Sequence, residues 1–241
     1  MGVVAYDAAW DYQDVLMQAN LRIKAQRFNT PEADVAAEEV TQHHLLFCEH
    51  THVYTLGKSG HMENLLVNDV RLKELNVSFF KTNRGGDITY HGPGQIVGYP
   101  ILDLERFVTD LGKYMRNLEE VIIRTLSHYG IEGGRLPGAT GVWLDADDKR
   151  KARKICAMGV RCSRWVTMHG FALNVNTDLK YFDYIVPCGI TDKSVTSMQK
   201  ELGYVVSEQD VKDILRHEFG IVFNSEIILD HESVTDQIGT A

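Results

Sequence analysis

The sequence lacks a long apolar run and contains little proline or cysteine. Five prolines among 241 residues fit an ordinary globular chain, and four cysteines are sparse for a disulfide framework at this length. No stretch approaches the roughly 20 apolar residues of a membrane-spanning helix. The N-terminus has no basic region before Arg22, so we expect no secretory or organellar signal and a cytoplasmic, reducing compartment.

The sequence also has fewer basic than acidic residues. The chain has 25 basic against 33 acidic residues, a formal net charge of −8, which argues against nucleic-acid binding. Its hydrophobic content of 44% suffices for one large core at this length. We therefore expect residues 1–241 to form a single domain, with a tail from about residue 224 whose sequence carries no usable signature.

The hydrophobic pattern predicts a mixture of helices and strands. Helices are predicted at residues 11–26, 68–75, 110–129 and 207–220. Strands are predicted at residues 3–6, 44–48, 53–56, 77–80, 96–102, 139–144, 154–160 and 170–175. An acidic turn at residues 145–148 predicts a hairpin between two of these strands. Because strands and helices do not alternate regularly, an α+β fold is favoured over a doubly wound sheet.

The most informative stretch is residues 84–95, which read RGGDITYHGPGQ. Four glycines and one proline accompany Arg84, Asp87, Tyr90 and His91, whose side chains are able to reach a ligand. Glycine at this density lets backbone N–H groups approach a ligand closely. We interpret the stretch as an ordered functional loop between two strands, the alternative being a mobile surface connection. It lacks the ending of a phosphate-binding loop, so nucleotide binding is not indicated.

Three further residues are candidates for covalent or acid–base chemistry. Cys188 lies in the sequence VPCG, a sharp turn that either presents a nucleophilic thiol or holds an inert cysteine. Lys154 opens an apolar strand, where desolvation would favour a base, although a solvated lysine at a strand end is commoner. Cys156 shares the face of Lys154 and competes with Cys188 as nucleophile, but its apolar neighbours favour core packing.

Several potential metal ligands, His44, Cys48, His50 and His52, lie close together in the sequence. No other histidine pair or carboxylate at zinc-like spacing completes the set, so we predict no metal site. His169, which precedes a predicted strand, either lines a pocket or caps that strand.

The stretch at residues 84–95 resembles the signature of the lipoyl(octanoyl) transferases, the lipoate-protein ligase B family. The resemblance covers about residues 10–200, in the family's order. Its further blocks are residues 49–57, 141–143, 154–159, 169–176 and 187–189.

This resemblance implies a biotin/lipoate ligase-like α+β fold, with a mixed, mostly antiparallel sheet and packed helices. It implies transfer of an octanoyl group from octanoyl-acyl carrier protein to a lysine of a lipoyl domain, in 2-oxoacid dehydrogenases or the glycine cleavage H protein. Cys188 is then the residue that holds the acyl group as a thioester, Lys154 its acid/base partner, and Cys156 is not catalytic. The residues implied to line the acyl pocket are Arg84, Gly85, Gly86, Asp87, Ile88, Thr89, Tyr90, His91, Ala157, Met158, Gly159, Gly170, Phe171 and Ala172.

The residue types suit this reaction. A free thiol has a pKa of about 8.5 and needs a nearby base or cation to react well at neutral pH. Exchange between thioesters is nearly balanced and amide formation is downhill, so neither step requires ATP, and we expect no cofactor. Two alternatives remain: an ATP-dependent lipoate or biotin ligase, which needs no acyl-holding thiol, and a non-catalytic adaptor that binds lipoyl domains.

A run of bases, KRKARK at residues 149–154, precedes and includes Lys154. Acyl carrier proteins are acidic, so this basic run is a candidate docking patch despite the negative net charge. The alternative is an ordinary solvated hairpin end, neutralised by Asp145, Asp147 and Asp148.

Overall fold

The computed structural model describes residues 1–29, 40–148, 150–186 and 194–229. Its strands are β1 (Val3–Val4), β2 (His44–His50), β3 (Val53–Leu56), β4 (Ser78–Lys81), β5 (Ile88–His91), β6 (Gln95–Ile101), β7 (Val142–Leu144), β8 (Arg153–Ser163), β9 (Val166–Asn174) and β10 (Ser194–Val195). Its α-helices are α1 (Tyr6–Asn29), α2 (Asp69–Glu74), α3 (Leu111–Ser127), α4 (Met198–Leu202) and α5 (Glu208–Phe223). Within these ranges no helix combines the length and apolar character needed to cross a membrane. The predicted α+β class is confirmed.

The larger sheet has the strand order β1-β2-β6-β9-β8-β10, and β7 also pairs with β8. The central strands β2, β6, β9 and β8 pair with one another antiparallel. At the two ends of this order, β1 lies parallel to β2 and β10 lies parallel to β8. Strand β9 is buried along its whole length, because α1 covers one face of the sheet and α3 and α5 cover the other. This is the mixed, mostly antiparallel sheet that was predicted.

Two hairpins meet in strand β8. Strands β7 and β8 are antiparallel around the acidic turn, which confirms the hairpin predicted there. Strands β8 and β9 both extend beyond the predicted ends and meet at Arg164 and Trp165, with φ of 48° and 66°. Positive φ at both central residues suits a tight hairpin turn. Glycine and asparagine usually mark such a turn, so this one gave no signal in the sequence.

Helix α1 begins earlier than predicted. Tyr6 was assigned to a strand at residues 3–6, but it is the first residue of the helix, and β1 is limited to Val3 and Val4. The helix packs Ala9 and Met17 against the sheet. This tertiary packing, rather than local propensity, buries Tyr6, in the N-terminal turn of α1, beside His50.

Helices α3 and α5 cover the opposite face of the sheet. Asp110 caps α3 by accepting a hydrogen bond from the backbone N–H of Lys113 at 2.9 Å, and Gly130 follows the helix with a φ of 69°. The prediction that Gly220 ends α5 was wrong. The helix continues to Phe223 and is capped by Asn224 in the left-handed conformation, because Phe223 packs into the core.

A smaller sheet carries the glycine-rich stretch. Strand β3 lies between β4, which is parallel to it, and β5, which is antiparallel. The interpretation of residues 84–95 as a loop was therefore partly wrong, since Ile88–His91 forms strand β5. The backbone groups of this strand pair with β3, so the irregular segments are the glycine-rich turns on either side of it.

Candidate active site

The described part of the chain contains an open cavity of about 880 Å³ beside the outer edge of β8. Strand β7 covers that edge only as far as Cys156. Beyond this point the edge meets the glycine-rich segment, where the backbone N–H of Gly85 donates to the carbonyl oxygen of Val160 at 2.9 Å. The cavity therefore lies where the two sheets approach each other.

The structure brings most of the predicted pocket residues together around this cavity. Its lining includes residues 84–89, His91, residues 157–159 and residues 170–172. Lys154 lies in the same wall and is 9% exposed. Three segments far apart in the sequence thus converge on one space, although their contact with an acyl chain remains a prediction.

Tyr90 is the predicted pocket residue that does not line the cavity. Side chains along a strand alternate between its faces, and that of Tyr90 points from β5 into the core of the smaller sheet. There it stacks on Tyr181, with ring centroids 4.9 Å apart, and its hydroxyl lies 2.6 Å from Nδ1 of His52. Tyr90 is therefore a packing residue in this structure.

Arg84 and Asp87 hold the glycine-rich segment in place. The Arg84 guanidinium donates to the carbonyl oxygen of Thr55 at 2.7 Å and to its hydroxyl oxygen at 2.9 Å. Asp87 accepts from the side-chain amide of Asn64 at 2.6 Å and from the backbone N–H of Ile88 at 2.6 Å. Both side chains thus contribute to the shape of the cavity through contacts within the protein.

His91 lies on the cavity wall as a neutral imidazole. Its Nδ1 lies 2.8 Å from Oε1 of Gln95. Burial, together with the nearby His50 and Arg84, holds the pKa of His91 well below its usual range. A histidine that stays uncharged at neutral pH is a hydrogen-bonding group here, since protonating it in this environment is unfavourable.

The cavity also contains aromatic residues that the sequence did not reveal. Tyr6 comes from the first turn of α1, and Tyr99 from β6. Burial raises the pKa of Tyr6 to about 12, so its hydroxyl stays protonated. The Tyr99 hydroxyl lies 2.6 Å from Nε2 of His50. Neither residue belongs to the glycine-rich segment, and only the packing of α1 on the sheet brings Tyr6 to the site.

His169 also lines the cavity. Of the two alternatives considered from the sequence, lining a pocket or capping a strand, the structure shows the first. It adopts a φ of 58° within strand β9, and its backbone N–H donates to the side-chain oxygen of Gln13 at 2.9 Å. Nε2 lies 2.9 Å from the side-chain oxygen of Asn83. Burial and the positive charges of Arg84 and Arg161 lower the pKa of His169 to about 3.

Cys188 lies outside the described residues, as do its neighbours at 187–193. The described residues on either side of this segment reach the cavity region. The backbone N–H of Val186 donates to the carbonyl oxygen of Asn64 at 2.8 Å, and Val195 pairs with Lys154 and lines the cavity.

Cys156, the competing nucleophile, is fully buried in the core. Burial raises the pKa of its thiol, the opposite of what a reactive cysteine needs. Cys48 is also buried, with a pKa raised to about 12 by the same effect. Both thiols behave as small apolar side chains in this structure.

The histidines and cysteine considered as metal ligands have other partners. Nε2 of His50 lies 3.6 Å from the Cys48 sulfur, but His50 also contacts the Tyr99 hydroxyl, and its Nδ1 donates to the carbonyl oxygen of Val4 at 2.9 Å. Across residues 1–29, 40–148, 150–186 and 194–229, no group of three or more His, Cys, Asp or Glu side chains is arranged to hold a metal.

The basic run is partly balanced by nearby acids. Arg153 contacts Asp145 and forms a pair with Glu201 at 2.6 Å. Arg150 and Lys151 lie 3.6 and 3.9 Å from Asp148, and Lys149 lies outside the described residues. Arg153 is therefore committed to contacts within the protein, whereas Arg150 and Lys151 are exposed.

The chain is similar to proteins of one family over most of its length. Residues 6–220 match the lipoyl protein ligase A/B catalytic domain. An octanoyltransferase of Cytophaga hutchinsonii is 53% identical over 227 residues, covering 94% of this chain and 92% of that protein. An octanoyltransferase of Flavobacterium johnsoniae is 57% identical over 226 residues, covering 92% and 94%.

Solved structures share the fold at low sequence identity. The ATP-bound lipoate-protein ligase A is 16% identical, with a TM-score of 0.64, and the match covers 93% of this chain and 87% of that one. The bipartite lipoate protein ligase of Thermoplasma acidophilum is also 16% identical, with a TM-score of 0.63 and coverage of 93% and 86%. These likenesses confirm the predicted lipoate ligase-like fold.

Proposed function

The chain belongs to the lipoyl protein ligase A/B catalytic domain family, and from this premise we propose how it acts as an octanoyltransferase of lipoate biosynthesis. Three octanoyltransferases are 53%, 55% and 57% identical to it, each over more than nine-tenths of both chains. The donor is octanoyl-acyl carrier protein, and the acceptor is the target lysine of a lipoyl domain.

One observation carries the mechanism: Lys154 lies in the wall of the cavity that the three predicted pocket segments line. The cavity takes the acyl chain, and Cys188 carries it as a thioester. The described residues that flank the Cys188 segment support this placement, since Val195 pairs with Lys154 and Val186 bonds to Asn64 at the cavity.

The reaction then has two acyl transfers, with Lys154 as proton carrier. In the first, the Cys188 sulfur forms a bond to the octanoyl carbonyl carbon, and the carrier thiol leaves with a proton. In the second, the acceptor amine attacks the same carbon, the amide forms, and the Cys188 sulfur leaves. Lys154 accepts the proton of the attacking group and returns it to the leaving group in each step.

The intact mass of the chain tests this proposal. Incubation with octanoyl-acyl carrier protein should add the mass of one octanoyl group, and later addition of a lipoyl domain should remove it. Cys188→Ser should abolish both the adduct and the transfer, whereas Cys156→Ser should keep them. An adduct that persists at Cys156 in the Cys188→Ser chain would refute the assignment of Cys188.

The ligase and adaptor alternatives predict different results. An ATP-dependent ligase would modify the lipoyl domain from free octanoate and ATP. We expect this chain to give no product in the same assay with these two reagents. A non-catalytic adaptor would bind the lipoyl domain without modifying it. The high identity to octanoyltransferases favours the acyltransferase over both alternatives.

A further inference from the structure

Lys154 lies against the face of a buried indole. Its Nζ is 4.7 Å from the centroid of the Trp143 ring, a distance at which an ammonium group is attracted to the negative face of an aromatic ring. The two residues are register partners on the paired strands β7 and β8. Lys154 is 9% exposed and Trp143 only 2%, so little water screens the contact.

The backbone of Trp143 is fixed on both sides. One edge of β7 pairs with β8, with an irregularity between Val142 and Trp143. On the other edge, the backbone N–H of Trp143 donates to the carbonyl oxygen of Gly134 at 2.9 Å. The carbonyl oxygen of Trp143 accepts from the N–H of Gly134 at 2.7 Å. Irregularities of this kind redirect a side chain, and here the ring lies against Lys154.

A buried carboxylate holds the chain just before this strand. Glu119 on α3 is fully buried and accepts from the backbone N–H of Gly141 at 3.0 Å. Its other oxygen pairs with Arg116 at 2.6 Å and Arg135 at 3.1 Å. Gly141 has a φ of 109°, and a Cβ there would meet the carbonyl oxygen of Cys156 at 2.4 Å. The backbone that leads from Gly141 into Trp143 is therefore held in place.

The indole N–H of Trp143 does not explain why tryptophan occupies this position. Trp143 Nε1 is buried and has no hydrogen-bond partner within the part of the chain that the structure describes. An unsatisfied buried donor is unfavourable for folding, and a phenylalanine or leucine would fill the space without that penalty. The ring face toward Lys154, rather than the N–H group, is thus the feature that distinguishes tryptophan at this position.

We propose that Trp143 is a positioning residue for Lys154: its ring face holds the lysine side chain at the cavity wall. This inference rests on the proposed role of Lys154 as proton carrier. It assigns to Trp143 the placement of the Lys154 side chain, without any contact between Trp143 and the substrate.

The rate of acylation tests the proposal, with the octanoyl thioester of N-acetylcysteamine as donor. Trp143→Leu should slow acylation by about 2- to 30-fold, because the Lys154 side chain loses the ring that holds it at the cavity wall. Trp143→Phe, which keeps a smaller ring, should fall between Leu and Trp. Phe219→Leu, a core change on α5, should lower thermal stability without slowing acylation by a comparable factor. An unchanged rate in both Trp143 variants would contradict the positioning role.

A second measurement separates this inference from the proposed function. In the full chain labelled with ¹³C and ¹⁵N lysine, the Lys154 signal is identified by its loss in Lys154→Arg. Its side-chain methylene protons should be shifted upfield by the indole, and Trp143→Leu should remove that shift. If Trp143→Leu removes the shift while Lys154→Arg keeps the parent rate of acylation, the contact stands and the acid/base role of Lys154 fails. If the parent chain shows no upfield shift, the inference about Trp143 fails.

Discussion

The backbone N–H of Gly85 donates to the carbonyl oxygen of Val160 at 2.9 Å, and this bond joins the glycine-rich segment to the outer edge of β8. The contact leaves no room for a side chain. A Cβ on Gly159 would lie 2.6 Å from the carbonyl oxygen of Gly85 and 3.2 Å from Cδ of Arg84. The cavity wall therefore depends on glycine at a position where two backbones touch.

Gly159→Ala should push the glycine-rich segment away from β8. We expect octanoyl transfer to fall by roughly ten-fold or more, and the free energy of unfolding to fall by about 1–3 kcal/mol, as in other overpacked sites. Steady-state transfer assays and urea unfolding measure the two effects. Gly2→Ala is the matched control, because a Cβ there meets nothing within 4 Å. A Gly159→Ala chain with normal transfer would show that the Gly85–Val160 contact is dispensable.

Lys154→Arg separates proton transfer from fixed charge. Arginine keeps the positive charge, but its pKa above 12 prevents it from cycling protons near neutral pH. We expect acylation of the chain to slow by roughly 100-fold or more, with an unchanged circular dichroism spectrum. If the Lys154→Arg chain kept most of its acylation rate, the charge alone would account for Lys154.

Local signals in the sequence were sufficient to predict helix α3. The apolar stripe of α3 lies between Asp110, which caps the helix, and Gly130, whose left-handed conformation follows it. Both ends are encoded within a few residues, so the prediction agreed closely with the structure. At the end of α5 the same reasoning failed, because the packing of Phe223 carried the helix past Gly220.

The candidate site was harder to predict in detail. The glycine-rich segment could be recognised from its composition, but its four-residue strand β5 could not, because pairing with the distant β3 defines it. That pairing is what directs Tyr90 away from the cavity. Tyr6 reaches the cavity through the packing of α1, a tertiary effect with no local signature in the sequence.

Buried histidines should make stability fall in mild acid. Burial lowers the pKa of His50 to about 4 and that of His169 to about 3, and it also lowers that of His91. The unfolded chain, with histidine pKa values near 6.5, binds more protons below that pH, so stability is lost as the pH falls below about 6.5. Each histidine should contribute about 1 kcal/mol of this loss between pH 6.5 and 5.5.

His50→Gln isolates one of these contributions. His50 does not line the cavity, so the test concerns folding rather than catalysis. The variant should be less stable than the parent chain at pH 7.5, because the hydrogen bonds to Val4 and Tyr99 are altered. Its loss of unfolding free energy between pH 6.5 and 5.5 should be smaller by about 1 kcal/mol. Equal losses in both chains, measured by urea unfolding, would mean that His50 is protonated in the folded state.

The structure divides the basic run into two kinds of residue. Arg153 is held by Asp145 and Glu201, so its charge is committed and its replacement should mainly reduce stability. Arg150 and Lys151 are 93% and 72% exposed at their side chains, and exposed pairs of this kind are weak. Their charges therefore remain available to an acidic partner.

Reversal of Arg150 and Lys151 to glutamate should slow acylation by octanoyl-acyl carrier protein several-fold at low salt and flatten its dependence on ionic strength, because long-range attraction to the acidic carrier is lost. Acylation by the octanoyl thioester of N-acetylcysteamine should not change, since that donor needs no docking surface. Stopped-flow rates with both donors, measured over a range of salt concentrations, make the comparison. If both donors slowed equally, the exposed bases would be supporting the active site itself, and the docking hypothesis would be wrong.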